Sequence, residues 1–540
     1  MTRYSKSGTK LLTIFIFLSL TASCALVESR NPVMRSGDRL FLQENYRAAA
    51  EAYEQVLASD STNARALYRA GLSYMNFDKE RSEDYIFQAY ELDPAVDSDI
   101  LYWLGRAEHI NYRFDEAIAH FEAYHKSAGR LNKQRREEAL QFIQQAGYAK
   151  EEIANPKDIF VQNLGDSVNS IYSDHSPVIS SDDNYLLFTT RSAAVTGGLE
   201  AQDGEFFEDI FEATKSADGT WGTAKAVTRS LNSAGHDASI QLFDNDTKML
   251  LYRPANDGDI FISERQADGN WGSPRGISDK VNSKFYEADA HITADGKTLY
   301  FSTNQFSKGN NLDIYKVEKE ANGEWGKPES LGNIINSPYD EDSPFLHPDG
   351  RLYFSSRGHT SIGGYDIFVS KYDSVVQQWG KPENLGVPVN SPDDDTHYRL
   401  SRDGSYAFLS SYRIGGFGEK DIYTINYIRP AKIAGKVFSR QDSMAITGLE
   451  VRFSGIQANK RPITFSSITS AETGDYNLIP LSGRSYKVEI LQNGKVLASE
   501  QYEVPVVVTE AGAVTRNFYI NHKSNSRIRS STTADHTPRK

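Results

Sequence analysis

Between Lys157 and Ile428 the chain repeats one pattern five times, and this constrains its fold more than any other feature. The clearest copy opens with Asn336-Ser337-Pro338 and passes through Pro348-Asp349-Gly350. It continues with Leu352-Tyr353-Phe354-Ser355-Ser356-Arg357 and Asp366-Ile367-Phe368, and ends with Trp379-Gly380. The Asn-Ser pair recurs at Asn169, Asn232, Asn282, Asn336 and Asn390. An Asp-Ile-Phe/Tyr triplet starts at Asp209, Asp259, Asp313, Asp366 and Asp421, at spacings of 50, 54, 53 and 55. Trp-Gly recurs at Trp221, Trp271, Trp325 and Trp379.

Each unit supplies four short strand candidates separated by turn residues. One such sheet leaves too much apolar face uncovered to stand alone, so its neighbours must cover it. The period predicts an all-β propeller over 157–428 with five blades, or six if one unit is hidden by divergence. The fifth unit lacks its Trp-Gly strand. The segment Asp158 to Gly165 resembles that strand (compare Glu383-Asn384-Leu385-Gly386) and is expected to complete the last sheet. The five copies resemble WD40/TolB-like (PD40) propeller repeats.

Residues 24–153 carry a different period. Gly37, Gly71 and Gly105 stand 34 apart, and Tyr53, Phe87 and Phe121 keep that spacing. Glu83 breaks the small-residue column that Ala49 and Ala117 otherwise hold. Glycine and alanine let paired helices approach, and aromatics fill the groove between them. This resembles the tetratricopeptide (TPR) repeat, with a capping helix over about 133–146. The resemblance implies a concave, protein-binding face bearing Arg65, Tyr68, Asn76, Tyr102, Arg106 and His109. A rigid spacer is the plainer alternative.

The N-terminus reads as an export signal, residues 1–23. Arg3, Lys6 and Lys10 precede the apolar run Leu11 to Leu20, then Thr21-Ala22-Ser23 and the single cysteine, Cys24. This resembles a bacterial lipoprotein signal and implies lipidation at Cys24. An ordinary signal peptide with an incidental cysteine is the alternative. With one cysteine no internal disulfide forms. The formal net charge is −13; the first 23 residues carry three positive charges and the last 20 a net of +4, so the residues between carry −20. Such a body repels phosphate backbones, which excludes a nucleic-acid partner. Residues 431–520 show short strands and turns and resemble the carboxypeptidase-regulatory-like domain, a small all-β Ig-like sandwich. The tail, 521–540, is polar and basic and is expected to be disordered.

No catalytic constellation emerges. The triplet aspartates occur in every unit, which suits a turn or a partnership with Arg191, Arg253, Arg357 and Arg413 better than an asymmetric acid/base pair. The Asp/Asn-Gly-x-Trp segments at Asp218, Asp268 and Asn322 suit hairpin turns. The acidic runs at Asp340-Glu341-Asp342 and Asp393-Asp394-Asp395 lack a calcium-loop spacing. His175, His236, His291, His347 and His397 occur once per unit at differing offsets, which argues against zinc. No metal or cofactor is expected.

Lipid anchor, helical repeats, propeller and sandwich in that order resemble a Bacteroidetes envelope family that includes the PorE-like component of type IX secretion. That component carries an OmpA-like peptidoglycan-binding domain, which has no counterpart in these residues. The resemblance implies a non-enzymatic outer-membrane lipoprotein facing the periplasm and scaffolding a secretion or gliding-motility assembly. Two alternatives remain open: a protein that binds or hydrolyses envelope glycan or peptidoglycan, and a TolB-like envelope-integrity factor. The unequal loops at 195–206, 306–311 and 359–363 are the expected partner contacts.

Overall fold

The computed structural model describes residues 31–127, 132–157, 159–216, 221–227, 230–307, 309–402, 404, 406–427, 431–455, 463–480, 482–505 and 514–523. Cys24, the expected export signal (residues 1–23) and the tail beyond 523 lie outside them. The chain divides into two compact units, the first ending at Asn426 and the second starting at Tyr427.

Among the described residues seven helices open the first unit: α1 (Pro32–Leu42), α2 (Tyr46–Ser59), α3 (Ala64–Tyr74), α4 (Lys79–Leu92), α5 (Ile100–Ile110), α6 (Phe114–Ser127) and α7 (Lys133–Ala154). α7 runs eight residues past its expected end. The side chains of Asn31, Asn45, Asn63 and Asp78 accept first-turn N–H groups and start α1 to α4. The glycines at spacing 34 sit where helices touch. A Cβ on Gly37 would lie 2.7 Å from the Tyr53 ring, and one on Gly105 3.0 Å from Phe121. At Gly71 the neighbour is Ile86, at 2.5 Å, and Phe87 is exposed.

The reason is a shorter stretch between the glycine and the next helix: Gly71 precedes the start of α4 by eight residues, whereas Gly37 and Gly105 precede α2 and α6 by nine. Glu44 and Tyr112 adopt φ +64° and +65° in the turns after α1 and α5, and the α3–α4 turn has no such residue. α4 therefore enters one residue early. Ser82 and Ile86 take the places that Ala49 and Tyr53, or Ala117 and Phe121, hold elsewhere. Ser82 Oγ donates to the Gly71 carbonyl at 2.8 Å. Glu83, which looked like a lapse in the repeat, is largely covered and pairs with Arg113.

Five antiparallel sheets follow. β1 (Phe160–Asn163) stands apart at first. The first sheet is β2 (Asp174–Ile179), β3 (Tyr185–Thr190), β4 (Asp209–Thr214) and β5 (Lys225–Ala226). The second is β6 (Ala238–Phe243), β7 (Lys248–Arg253), β8 (Asp259–Glu264) and β9 (Arg275–Gly276). The third is β10 (Glu287–Ile292), β11 (Thr298–Thr303), β12 (Asp313–Glu318) and β13 (Glu329–Ser330). The fourth has five strands, β14 (Glu341–Leu346), β15 (Arg351–Ser356), β16 (Asp366–Asp373), β17 (Gln378–Trp379) and β18 (Glu383–Asn384). The fifth is β19 (Asp395–Leu400), β20 (Tyr406–Ser411) and β21 (Asp421–Asn426), completed by β1, which pairs with β21 from Phe160↔Asn426 to Asn163↔Tyr423.

The repeated Asn joins neighbouring sheets. Asn232 Oδ1 accepts the Ile210 N–H at 2.9 Å, and its Nδ2 donates to the Ile210 carbonyl at 3.0 Å. Asn282 binds Ile260 in the same two-point way, Asn336 binds Ile314, Asn390 binds Ile367 and Asn169 binds Ile422. The Ser beside each Asn donates through its N–H to an acid four residues on: Asp174, Asp237, Glu287, Glu341 or Asp395. Four of the triplet aspartates, Asp209, Asp259, Asp366 and Asp421, accept N–H groups of their own loops, as Asp366 does from Ile362 at 2.6 Å and Asp421 from Phe417 at 2.7 Å. Arg253 and Arg413 pair with the other repeated acid, Asp237 and Asp395, at 2.6 and 3.1 Å. The expected Asp–Arg partnership within the triplet is thus replaced.

The expected fold class also needs correction. The sequence suggested helical repeats, then an all-β propeller of five or six blades, then an Ig-like sandwich. What is found is seven helices followed by a series of small antiparallel sheets, and a separate five-bladed propeller is not shown. The helices and the first five sheets form one unit with a shared core. Ile362, in the β15–β16 loop, is fully buried in a cluster with Phe114, Ala146 and Ala149 of α6 and α7.

The second unit has two sheets around one core that includes Val437, Phe453, Tyr476, Val488 and Phe518. Its strands are β22 (Ile433–Ser439), β23 (Glu450–Gly455), β24 (Ile463–Ile468), β25 (Asp475–Leu478), β26 (Ser485–Gln492), β27 (Lys495–Glu503), β28 (Val514–Thr515) and β29 (Phe518–Ile520). One sheet runs β25-β22-β28 with β29 also on β22; the other runs β24-β23-β26-β27.

Asn390→Ala is expected to strand the buried Ile367 N–H, while the Ile367 carbonyl keeps the Leu385 N–H at 3.0 Å. We expect a loss of about 1–3 kcal/mol for the group left unpaired, read as a lower urea midpoint at unchanged slope.

Candidate functional site

The repeated acids open the first strand of each sheet, and their N–H groups donate backward. Asp237 N–H reaches the Glu208 carbonyl, Glu287 reaches Gly258, Glu341 reaches Leu312, Asp395 reaches Tyr365 and Asp174 reaches Lys420. Each acceptor is the residue just before a triplet aspartate. The residues just before the repeated acids therefore lie beside those just before the triplets. The five pairs are Ser173 with Lys420, His236 with Glu208, Tyr286 with Gly258, Asp340 with Leu312, and Asp394 with Tyr365. None of these pairs repeats another, although the columns on either side do.

The side chains in these positions form a connected polar centre. Glu208 lies 3.1 Å from His236 Nδ1 and 3.4 Å from His175 Nε2. Burial alone would raise its pKa, but the hydrogen bonds and charges of the two histidines hold it well below the usual carboxylate range. The His175 ring lies 5.9 Å from that of His397, and His397 lies 4.0 Å from Asp289. Asp289 pairs with Arg399 at 3.1 Å, yet burial outweighs that charge and pushes its pKa up to about 7. Two carboxylates of one centre thus differ in protonation at neutral pH.

Beside them, Arg357 lies over the Tyr365 ring at 4.4 Å and approaches Asp394 at 3.3 Å. It occupies the same sequence column as Arg253 and Arg413, which are consumed by the repeated acids. Arg357 instead leaves 46% of its side chain exposed. Lys420 shares Asp394 at 3.9 Å. Against the pull of burial, Arg357, Lys420 and Lys79 hold Asp394 ionised. Tyr252, Tyr286 and Tyr365 are half-buried, and burial raises their pKa values so that the phenols stay protonated. Among the described residues no hydrogen-bond partner is found for these three hydroxyls.

The helices meet the same end of the sheets. Lys79, the first residue of α4, is buried and pairs with Asp393, lies 3.9 Å from Glu419 and sits over the Tyr412 ring at 4.6 Å. Arg47 of α2 pairs with Glu205 at 2.6 Å. His109 Nε2 binds the Ile362 carbonyl at 2.9 Å, and Gln145 donates to Ser361 Oγ at 2.5 Å. Two of the three loops expected to meet partners, 195–206 and 359–363, therefore seat the chain's own helices. In the third, 306–311, residue 308 lies outside the described residues, and Phe306 packs on Tyr315 at 4.8 Å.

The residues expected on a concave binding face are largely committed. Tyr68, Tyr102 and His109 are buried, and burial pushes the His109 pKa down to about 3. Tyr102 donates to Glu138 at 2.9 Å, and Arg106 lies over the Phe142 ring at 4.1 Å. Arg65 pairs with Asp38 at 2.7 Å, and Asn76 donates to the Leu72 carbonyl at 2.9 Å as a helix end. They do not form one open surface. Among the described residues no group of three His, Cys, Asp or Glu side chains is arranged to hold a metal. The Glu208, Tyr286 and Tyr365 positions escaped the sequence reading. Their signal was present in the columns that change beside columns that do not.

No family model matches the chain, and no curated protein matches it. Among solved structures, an alpha-L-arabinofuranosidase from Lactobacillus brevis is similar at 15% identity and a TM-score of 0.31, over 48% of this chain and 92% of that one. A GH43_12 retrieved from a capybara gut metagenome is similar at 12% identity and 0.33, over 64% and 76%. A protein of unknown function from Dyadobacter fermentans is similar at 12% and 0.30, over 47% and 76%. Likenesses this weak carry no inference about what the chain does.

Burial raises several scaffold acids: Asp174 and Asp395 to about 6 and Glu341 to about 7. A carboxyl whose folded pKa lies above its unfolded value holds its proton more tightly when folded. That contribution is complete below pH about 4 and is lost as pH rises through 6 to 7. Glu208 and Asp394 act oppositely and protect only above about pH 4. The urea midpoint should therefore fall from pH 5 to pH 8. Glu341→Gln should flatten that slope, because the amide can accept the Ser337 N–H and donate to the Ser337 and Ser356 hydroxyls.

Proposed function

We propose that the protein is a non-enzymatic binding protein of the cell envelope whose polar centre takes a glycan. The observation that carries this reading is the set of three tyrosine hydroxyls at the centre that have no hydrogen-bond partner among the described residues. Three half-buried phenols without partners stand beside an exposed Arg357, an ionised Glu208 and a carboxylate titrating near pH 7. Polyhydroxylated ligands suit such a mixture, since each sugar offers both donors and acceptors and an apolar ring face. Anionic polymers suit it less, because carboxylates outnumber cations there.

The test is a thermal shift of the full chain with glycan oligosaccharides, together with retention on purified peptidoglycan sacculi. A ligand at a hundred times its Kd raises stability by about 2.7 kcal/mol. No shift with any oligosaccharide and no retention on sacculi would sink the reading.

A second reading, a protein scaffold for a secretion or gliding-motility assembly, draws support from a groove between α1 and α2. It has a volume of about 430 Å³, and Val33, Leu40, Ala48 and Ala52 form its apolar part. Cross-linking in native envelopes should then recover a protein partner that Ala52→Arg abolishes. Lipid anchoring at Cys24 belongs to both readings. Cys24→Ser should move the protein from the membrane fraction to the soluble one, and retention in the membrane would refute it.

A further inference from the structure

The centre has one corner where aromatic surface and carboxylate charge coincide. Tyr252 ends near β7's last residue, and Tyr286 stands just before β10. Their rings meet edge to face at 5.9 Å and 77°. Gly258 sits against both. Its φ is +139°, and a Cβ there would lie 2.6 Å from the Tyr286 ring and 2.7 Å from the Tyr252 ring. The equivalent positions in the other sheets carry Glu208, Leu312, Tyr365 and Lys420. Glycine in this column lets the two rings close over the backbone, where any side chain would collide with them.

The charges bearing on Tyr252 and Tyr286 are negative. Those acting on Tyr286 are Asp342 and Glu208, and those acting on Tyr252 are Glu208, Asp259 and Asp257. Tyr365 faces Asp340, Asp342 and Asp394 against the single cation Arg357, which Asp394 already answers. Asp342 uses one oxygen for the Ser302 hydroxyl at 2.5 Å and the Ser343 N–H at 2.7 Å. Its other oxygen has no hydrogen-bond partner among the described residues. Beside it the Ser343 hydroxyl is buried and also without one. Aromatic faces attract cations through the ring quadrupole, and a carboxylate at the back of such a corner adds charge that water screens poorly.

We propose that Tyr252, Tyr286 and Tyr365, backed by Glu208 and Asp342, form a subsite for a primary ammonium group, and that the ligand is a glycan bearing free amino sugars. This rests on the glycan-binding reading above and narrows it. An N-acetyl group would bring an uncharged amide into a negative field and forfeit the cation–π contact. A neutral hexose would forfeit both attractions.

The experiment is calorimetric titration of the full chain with three oligosaccharides of equal length: glucosamine, N-acetylglucosamine and glucose. The glucosamine oligomer should bind about tenfold tighter than the other two, the weight of a desolvated cation–π contact with charge behind it. Asp342→Asn keeps an oxygen for Ser302 and Ser343 and should erase that preference without lowering the melting temperature. Tyr286→Leu, a second variant at a different sheet, should do the same. Equal binding of all three oligomers would overturn the ammonium subsite while leaving glycan binding intact. Binding of none would overturn both. Trilysine binding more tightly than the glucosamine oligomer would overturn it in favour of a basic peptide.

Discussion

The contact on which the sheet region depends is the two-point bond between each repeated Asn and an isoleucine of the sheet before it. An asparagine amide offers one acceptor and two donors, so it can satisfy a backbone N–H and C=O at once. It does this near the start of a third strand, where the segment adjoining the fourth strand bonds the carbonyl but leaves the N–H to the asparagine. The Ser that follows ties the same loop to the acid opening the next strand. Two adjacent residues therefore finish one sheet and begin another, which is why the pair is kept in all five units. The long-range case, Asn169 to Ile422, joins the first of these loops to the last sheet. These groups are buried, so leaving them unpaired costs more than the bonds nominally contribute.

This arrangement also dictates where a site can form. Once the acid's N–H is bonded to the carbonyl before a triplet, two residues per sheet are brought side by side, and in three of the five pairs the side chain of one accepts the N–H of the other: His236 from Glu208, Asp340 from Leu312 and Asp394 from Tyr365. The pairs differ from sheet to sheet, and the variation is what makes the centre asymmetric. Glu208 with His236, Asp394 with Tyr365 and Tyr286 with Gly258 are different answers in one geometric slot. A repeat reader looks for what recurs and finds the scaffold. The ligand-facing residues are those that fail to recur next to those that do. The periodicity made the existence of the units, their strands and the completing segment Phe160–Asn163 legible. It did not say that four of the triplet aspartates serve their own loops, because which of two repeated acids meets the arginine depends on a distance that spacing does not encode.

The helical region shows the same limit at closer range. Counting by 34 places Glu83 and Phe87 in columns meant for small and aromatic residues. The chain instead has one residue fewer between Gly71 and α4, and α4 shifts so that Ser82 and Ile86 serve. A single deletion of this kind is invisible to a fixed period, though it changes which side of a helix is buried. The nominated binding residues met a different obstacle. Tyr68 and Tyr102 sit in the helical core, and His109 is spent on the chain's own β15–β16 loop. Whether a repeat's surface is free depends on what the rest of the chain lays against it.

That laying-on alters the chemistry of the centre. Asp393 and Asp394 are adjacent, and Glu419 lies close enough to Lys79 to feel its charge. Without α4, three carboxylates would face Arg357 and Lys420 alone. Lys79 answers Asp393 and frees both other cations to hold Asp394 ionised. A buried pair of this kind gives little net stability, since desolvation offsets most of the attraction, but losing one partner strands the other at a cost of about 3–5 kcal/mol. The helices are therefore bound to the sheets by an interaction whose main product is a defined charge pattern. Removing them would alter the polar centre even though none of its tyrosines comes from a helix.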